Sequence, residues 1–339
     1  MRFVRSIWLA AALALTVGSS ALHAQSAWSV SKTFSIGGEG AWDYVTVDSP
    51  GRRLFVTRST HTMVIDADTG KTLGDIPGQK RSHGVAIVPA LNRGFISDGA
   101  GNGAIVVFDL KTYSVLGTLA AVPDADGIIY DPGANLVLVS AGDSSALLAF
   151  KPDIDPVKGK VGAPIDLGGK PEFLAVDGHG KAFVNLEDKG LVAVVDLKAR
   201  RAVQKWPVAP GGHPVGLSID ANAHRLFIGC RDPQKLVVMN SETGKIEASL
   251  PIGVGVDATA FSDGLAFASC GDGSFFVAEE KAGKFGISQR VKTPAGARTL
   301  GVDAKNHFVY LPTAELEPVA SGRPKPKPGT FKIVVVERH

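Results

Sequence analysis

Short runs of alternating apolar and polar residues recur along the whole chain, and seven of them are alike. They read WDYVTVD (42–48), SHGVAIV (82–88), ADGIIYD (125–131), PEFLAVD (171–177), PVGLSID (214–220), VDATAFS (256–262) and ARTLGVD (297–303). Each opens on a small or turn residue and then alternates with the period of two that a half-buried strand requires. Five of the seven end in Asp. Their second residues fall at 43, 83, 126, 172, 215, 257 and 298, a repeat of about 42 residues.

Every unit continues in the same way. A turn such as SPGRR or DPGAN leads into a second apolar run such as LFVT or LVLVS, and a third follows, such as AIVVFD or LVAVVD. Next comes a tight turn of the DADTGK or NSETGK kind, then a fourth run. Asp or Asn at such a turn caps its own backbone and Gly supplies the positive φ. Seven units of four strands predict an all-β chain folded as a seven-bladed β-propeller, with four antiparallel strands per blade. After its first run the seventh unit holds only FVYLP (308–312) and FKIVVVER (331–338). The missing strand is WSVSKTFSI (28–36), so the N-terminal strand is expected to complete the last blade and leave the ring without a free edge.

These repeats, of the form P-x-G-φ-x-φ-D, then φ-F-V-T/S, then φ-V-φ-D-x-x-T-G-K, where φ is an apolar residue, resemble the YVTN-repeat family of YncE-like exported bacterial propellers. The resemblance runs from Trp42 to Val335. It implies a scaffold that binds a ligand or partner. Related exported propellers include metal-dependent lactonases and lyases, so the resemblance leaves an enzyme open.

The opening MRFVRSIWLAAALALTVGSSALHAQ has two arginines, an apolar stretch too short to span a bilayer, and small residues ahead of Ala24. Residues 1–24 are expected to be a signal peptide, and 25–339 a single domain that is periplasmic or secreted. Without Arg2 and Arg5 the 36 basic residues become 34 against 33 acids, a net charge of +1. So near-neutral a chain offers no electrostatic footprint for nucleic acid. No later stretch is long and apolar enough to cross a membrane, and a monomer is expected.

In a propeller the first strand of each blade lines the central channel, and its N-terminal end lies at one mouth. The second residues of the seven runs therefore form a ring: Asp43, His83, Asp126, Glu172, Val215, Asp257 and Arg298. Val215 breaks the ionisable series, and His213 stands two residues earlier, placed to compensate. Carboxylates and imidazoles so gathered either stay solvated in a wide hydrated channel or call for a cation. The metal reading takes Asp43, His83, Asp126, Glu172, His213 and Asp257 as ligands to Zn, Mn, Fe, Mg or Ca, with no organic cofactor. The remaining histidines in turns, His179, His224 and His307, fall on the opposite face.

The ends of the second strands form a second tier on the same face. Arg58 and Arg231 are candidate ligand-binding residues, and Trp42 is a candidate aromatic wall. Tyr44 could share that wall or pack between blades. Cys230 and Cys270 are equivalent in blades five and six, open to three readings: separate buried thiols, a disulfide, or soft ligation with His213. The Pro- and Lys-rich insert 314–329 in blade seven is either a solvated overhang or, as a functional element, a partial lid or a handle for an acidic partner. No nucleophile elbow, phosphate loop or HExxH helix occurs.

Two functions follow as expectations. One is an exported propeller that binds a small molecule, peptide or protein at the charged mouth, with a divalent metal assisting. The other is a metal-dependent hydrolase or lyase, with His83, His213 and Arg298 as its catalytic residues.

Overall fold

The computed structural model describes residues 27–319 and 324–339. The expected signal peptide, residues 1–24, lies outside the described residues. Each repeat folds into one four-stranded antiparallel sheet, and seven such sheets form the propeller among the described residues. The inner strands run Val45–Asp48, Ser82–Val88, Ala125–Asp131, Pro171–Val176, Pro214–Asp220, Val256–Ser262 and Gly301–Asp303. Each lies against the inner strands of the blades on either side, so the ring is closed. Blade seven is completed by Trp28–Ser35, paired antiparallel with Lys332–Arg338, as the missing strand requires. No helix among the described residues is long and apolar enough to cross a membrane.

The core lies between blades rather than within them. Phe55 and Val64 of blade one, for example, pack against Val85, Ile96 and Phe108 of blade two. Single sheets have two apolar faces here, and each face is covered only when the neighbouring blade is in place.

The start of each inner strand is irregular, and this irregularity builds the mouth. In blades two to six the register slips between the first paired residue and the next: Ser82/Val85, Ala125/Ile128, Pro171/Leu174, Pro214/Leu217 and Val256/Ala258. The ring residue sits inside this bulge, released from the ladder, as bulges beside functional sites re-aim side chains. In blades one and seven the ladder starts later, at Val45 and Gly301, so Asp43 and Arg298 precede it altogether.

A column of small polar residues then fixes the bulges. Thr57 Oγ1 donates to the His83 carbonyl at 2.7 Å, and Ser97 Oγ to the Asp126 carbonyl. Asn185 Nδ2 donates to the Val215 carbonyl at 2.9 Å, and Ser269 Oγ to the Arg298 carbonyl. Thr299 Oγ1 makes the corresponding bond from blade seven to the Asp43 carbonyl of blade one at 2.8 Å. Each donor belongs to one blade and each acceptor is the ring residue of the next. These bonds satisfy carbonyls that the bulge, or the late start of the ladder in blades one and seven, leaves out of the ladder. The glycine after Val215 serves the next junction, with blade six: a Cβ on Gly216 would meet the Thr259 backbone nitrogen at 2.7 Å.

Candidate functional site

The channel is stoppered. The rings of Tyr44 in blade one and Phe173 in blade four meet across the axis, with centroids 4.8 Å apart. The wide hydrated channel expected from seven blades is therefore closed at this level, and Tyr44 packs across the axis rather than between blades. Burial first, then the charges of Asp126 and Asp43, raise the Tyr44 phenol well above its ordinary range, so it stays neutral.

Above the stopper is a polar well of about 300 Å³. Six of the seven ring residues line it: Asp43, His83, Asp126, Glu172, Asp257 and Arg298. Arg81, Asp124, Asp143, Lys170 and Arg231 join them, so the acids face five basic groups rather than the two counted on the ring. The well is compensated, not simply anionic.

At one side of the well Asp43, His83 and Asp126 converge, and one donor atom from each lies within 4.8 Å of the others. His83 Nδ1 is 2.7 Å from Asp43 Oδ2 and 3.5 Å from Asp126 Oδ1. His83 Nε2 and Asp126 Oδ1 are buried without a hydrogen-bond partner. Burial opposes an imidazolium at His83, but the hydrogen bond with Asp43 and the charge of Asp126 outweigh it and lift its pKa to about 9. Burial also pushes Asp126 up to about 7, against the pull of His83.

The other ring acids have different partners. Asp257 is clamped between two arginines: Arg231 Nη2 bonds to its Oδ1, and Arg298 Nε to its Oδ2 at 2.5 Å. Its expected place as a metal ligand is thus taken by guanidinium groups. Glu172 is pushed to about 10, by burial first and then by its contact with Glu187 and the charge of Asp126. Glu187 is lowered in turn, so the pair holds one proton, and Glu172 donates to the Glu187 carboxylate.

Two expectations are corrected. His213 does not fill the gap at Val215. Its backbone is left-handed at φ 51°, and its half-exposed ring turns out to Glu187, with Nδ1 3.1 Å from Oε1. Val215 is itself buried, its carbonyl held by Asn185. Arg58 is fully buried under the 37–41 loop and lies outside the well. It donates to the carbonyls of Glu39, Gly40 and Ala41 at 2.6, 3.1 and 3.2 Å, with its guanidinium 3.7 Å from the Phe331 ring centre. The two cysteines are free and buried, as separate thiols, and burial pushes both up to about 12.

Beside the well, over blades six, seven and one, opens a larger vestibule of about 680 Å³. Trp42, Val254, Leu316 and Pro326 form its apolar walls, and Arg231 and Arg298 belong to both cavities. The insert supplies one wall: Leu316–Glu317 pairs with Lys325–Pro326, and Lys327 Nζ reaches Glu315 at 3.2 Å. The described part of the insert is therefore packed against the mouth, and residues 320–323 lie outside the described residues.

A second column explains where each cavity lies. Two residues before the ring position stand Ala41, Arg81, Asp124, Lys170, His213, Gly255 and Gly296. Blades two to five carry charged or polar side chains there; Arg81, Asp124 and Lys170 wall the well, while His213 turns out to Glu187. Blades six, seven and one carry Gly or Ala, and the rim is cut down where the vestibule opens. Sequence reasoning used this column at His213 alone; aligned in all seven units, it would have shown both features.

No family model matches the chain, and no curated protein matches it. Among solved structures it is similar to the hydrazine synthase of Kuenenia stuttgartiensis, at 13% identity and a TM-score of 0.66, over 79% of this chain and 91% of that one. It is similar also to the WD40 repeats of RRP9, at 10% identity and a TM-score of 0.77, over 92% of this chain and 100% of that one. At such identities the likeness shows the propeller fold alone, a scaffold suited to binding a ligand or partner.

Proposed function

We propose that this chain is an exported propeller of the YncE-like, YVTN-repeat kind that binds a small organic ligand in its single-ended mouth, with a divalent cation held by Asp43, His83 and Asp126. The observation that carries the reading is the convergence of those three side chains, two with buried unpartnered atoms, at the side of a closed well. The donor set fits. Ligand atoms around one ion at about 2.0–2.5 Å lie within about 5 Å of one another. Mixed carboxylate and imidazole donors suit a borderline or hard divalent ion. The cation would take the place of the His83 proton, and its binding would release that proton. Once bound, it would supply charge to an oxygen of the ligand. Arg298 and Arg231 orient what enters, and the Tyr44–Phe173 stopper confines it to one face.

Calorimetric titration with Mn²⁺ and Zn²⁺, with elemental analysis of the purified protein, tests this reading. One ion per chain is expected, lost in both His83→Ala and Asp43→Asn. Equal binding by the wild type and both variants, or binding by none, refutes the cation site.

A further inference from the structure

We propose that the vestibule accommodates the apolar body of a small monocarboxylate whose carboxylate rests on Arg298 and Arg231. This inference deepens the ligand reading of the mouth and depends on it.

Charge comes first. Among the residues that line the vestibule, Arg231 and Arg298 are the charged ones, and both are cationic. They share a single carboxylate, Asp257. The next acid, Glu187, is 3.8 Å from Arg231, but it also faces Lys170 at 3.8 Å and His213 at 3.1 Å. Asp257 therefore covers one of the two guanidinium charges directly, while the other is met only at longer range, by Asp43 and Glu187, and is left to face the vestibule. A monoanion balances it; a dianion would overshoot and meet the carboxylates of the well beyond.

The available donors point the same way. Arg298 places Nε on Asp257 and Nη2 on the Trp42 carbonyl at 3.3 Å, while its Nη1 makes no hydrogen bond among the described residues. Its guanidinium lies 5.6 Å from the centre of the Trp42 ring, which fixes its plane. A guanidinium so held offers Nη1 to a carboxylate oxygen, and loses little freedom on binding.

Shape supplies the apolar half. The cut-down rim at Ala41, Gly255 and Gly296 leaves an open path away from the arginines, flanked by Trp42, Leu316 and Pro326. Val254 stands at that mouth with 60% of its surface exposed, a large aliphatic side chain left in water. A volume of about 680 Å³ falls within the range of small-molecule sites. Burying a chain of methylenes against these walls contributes to affinity, while the arginines select the head group.

The test is calorimetric titration of the intact protein with decanoate, kept below its micellar threshold, beside decanol, decylammonium and acetate. Decanoate is expected to bind at least tenfold more tightly than each of the other three. Val254→Glu, a substitution at an exposed position that leaves the fold unchanged, is expected to weaken decanoate about fivefold or more, and Val254→Lys to preserve it. Arg298→Gln, checked for folding by circular dichroism, is expected to erase the preference of decanoate over decanol. Decanol binding as tightly as decanoate, or decanoate unaffected by Val254→Glu, overturns the inference. Mn²⁺ is titrated in parallel. If the ion binds and decanoate does not, the carboxylate inference fails while the ligand reading of the mouth stands; if neither binds, both fail.

Discussion

Raising the pH should weaken this propeller through its well, the reverse of what surface carboxylates paired to cations do. His83 has a folded pKa of about 9 against an ordinary 6.5, because Asp43 and Asp126 hold its proton despite burial. A group raised in this way contributes stability in full below about pH 6.5 and loses it as the pH climbs through 9. The gap corresponds to about 3 kcal/mol at roughly 1.4 kcal/mol per unit. The Glu172–Glu187 pair acts in the same direction. Burial and the neighbouring carboxylates raise Glu172 to about 10, so the folded pair keeps a proton that two free glutamates would have released by neutral pH. Between pH 7.5 and 9 the folded chain thus binds up to about two more protons than the unfolded chain at these sites. The expected loss is up to about 2.7 kcal/mol per pH unit. Urea unfolding at pH 7, 8 and 9 and fixed ionic strength measures it. Glu172→Gln should reduce the slope by about 1.4 kcal/mol per pH unit, the share of one proton. Background titrations are common to both proteins and cancel in the difference. If the slope is the same in Glu172→Gln as in the wild type, the shared proton does not exist.

Three further outcomes follow from the packing. Asn185→Ala removes two buried donations, at 2.9 and 3.0 Å, to the Val215 and Gly216 carbonyls, and should cost about 2–3 kcal/mol in chemical unfolding. Arg58→Met should speed amide exchange in residues 37–41, whose carbonyls it gathers, and lower stability by about 3 kcal/mol. The thiols of Cys230 and Cys270, buried and pushed up to about 12, should not react with a disulfide reagent at pH 8 until the chain unfolds, when two equivalents should react at once. One thiol reacting quickly in the folded protein would contradict their placement.

The architecture was legible because a propeller writes itself as a repeat. The seven runs, the turns between strands and the strand missing from blade seven all depend on local pattern, and each lies where that pattern puts it. The ring at the mouth was legible too, since register alone brings Asp43, His83 and Asp126 to one level. What register could not show was partnership. Asp257 is indistinguishable from Asp126 along the chain, yet one meets two guanidiniums and the other an imidazole, because Arg231 reaches from the end of a second strand. His213 looked able to replace Val215 because spacing says nothing of a left-handed φ that swings its ring outwards. The Tyr44–Phe173 contact joins residues in blades one and four, a meeting set by ring diameter rather than by any neighbouring residues. The hydroxyl and amide column of Thr57, Ser97, Asn185 and Ser269 was present in the aligned units, at or one residue before the end of four second strands, but its role appears only when the bulges are seen.

The most direct test of the mouth as a cation-assisted ligand site is anomalous diffraction from crystals soaked in Mn²⁺ above neutral pH. A single strong peak among Asp43, His83 and Asp126 is the expected result. A well without a peak there, or an ion seated instead at Glu172 and His213, would contradict it.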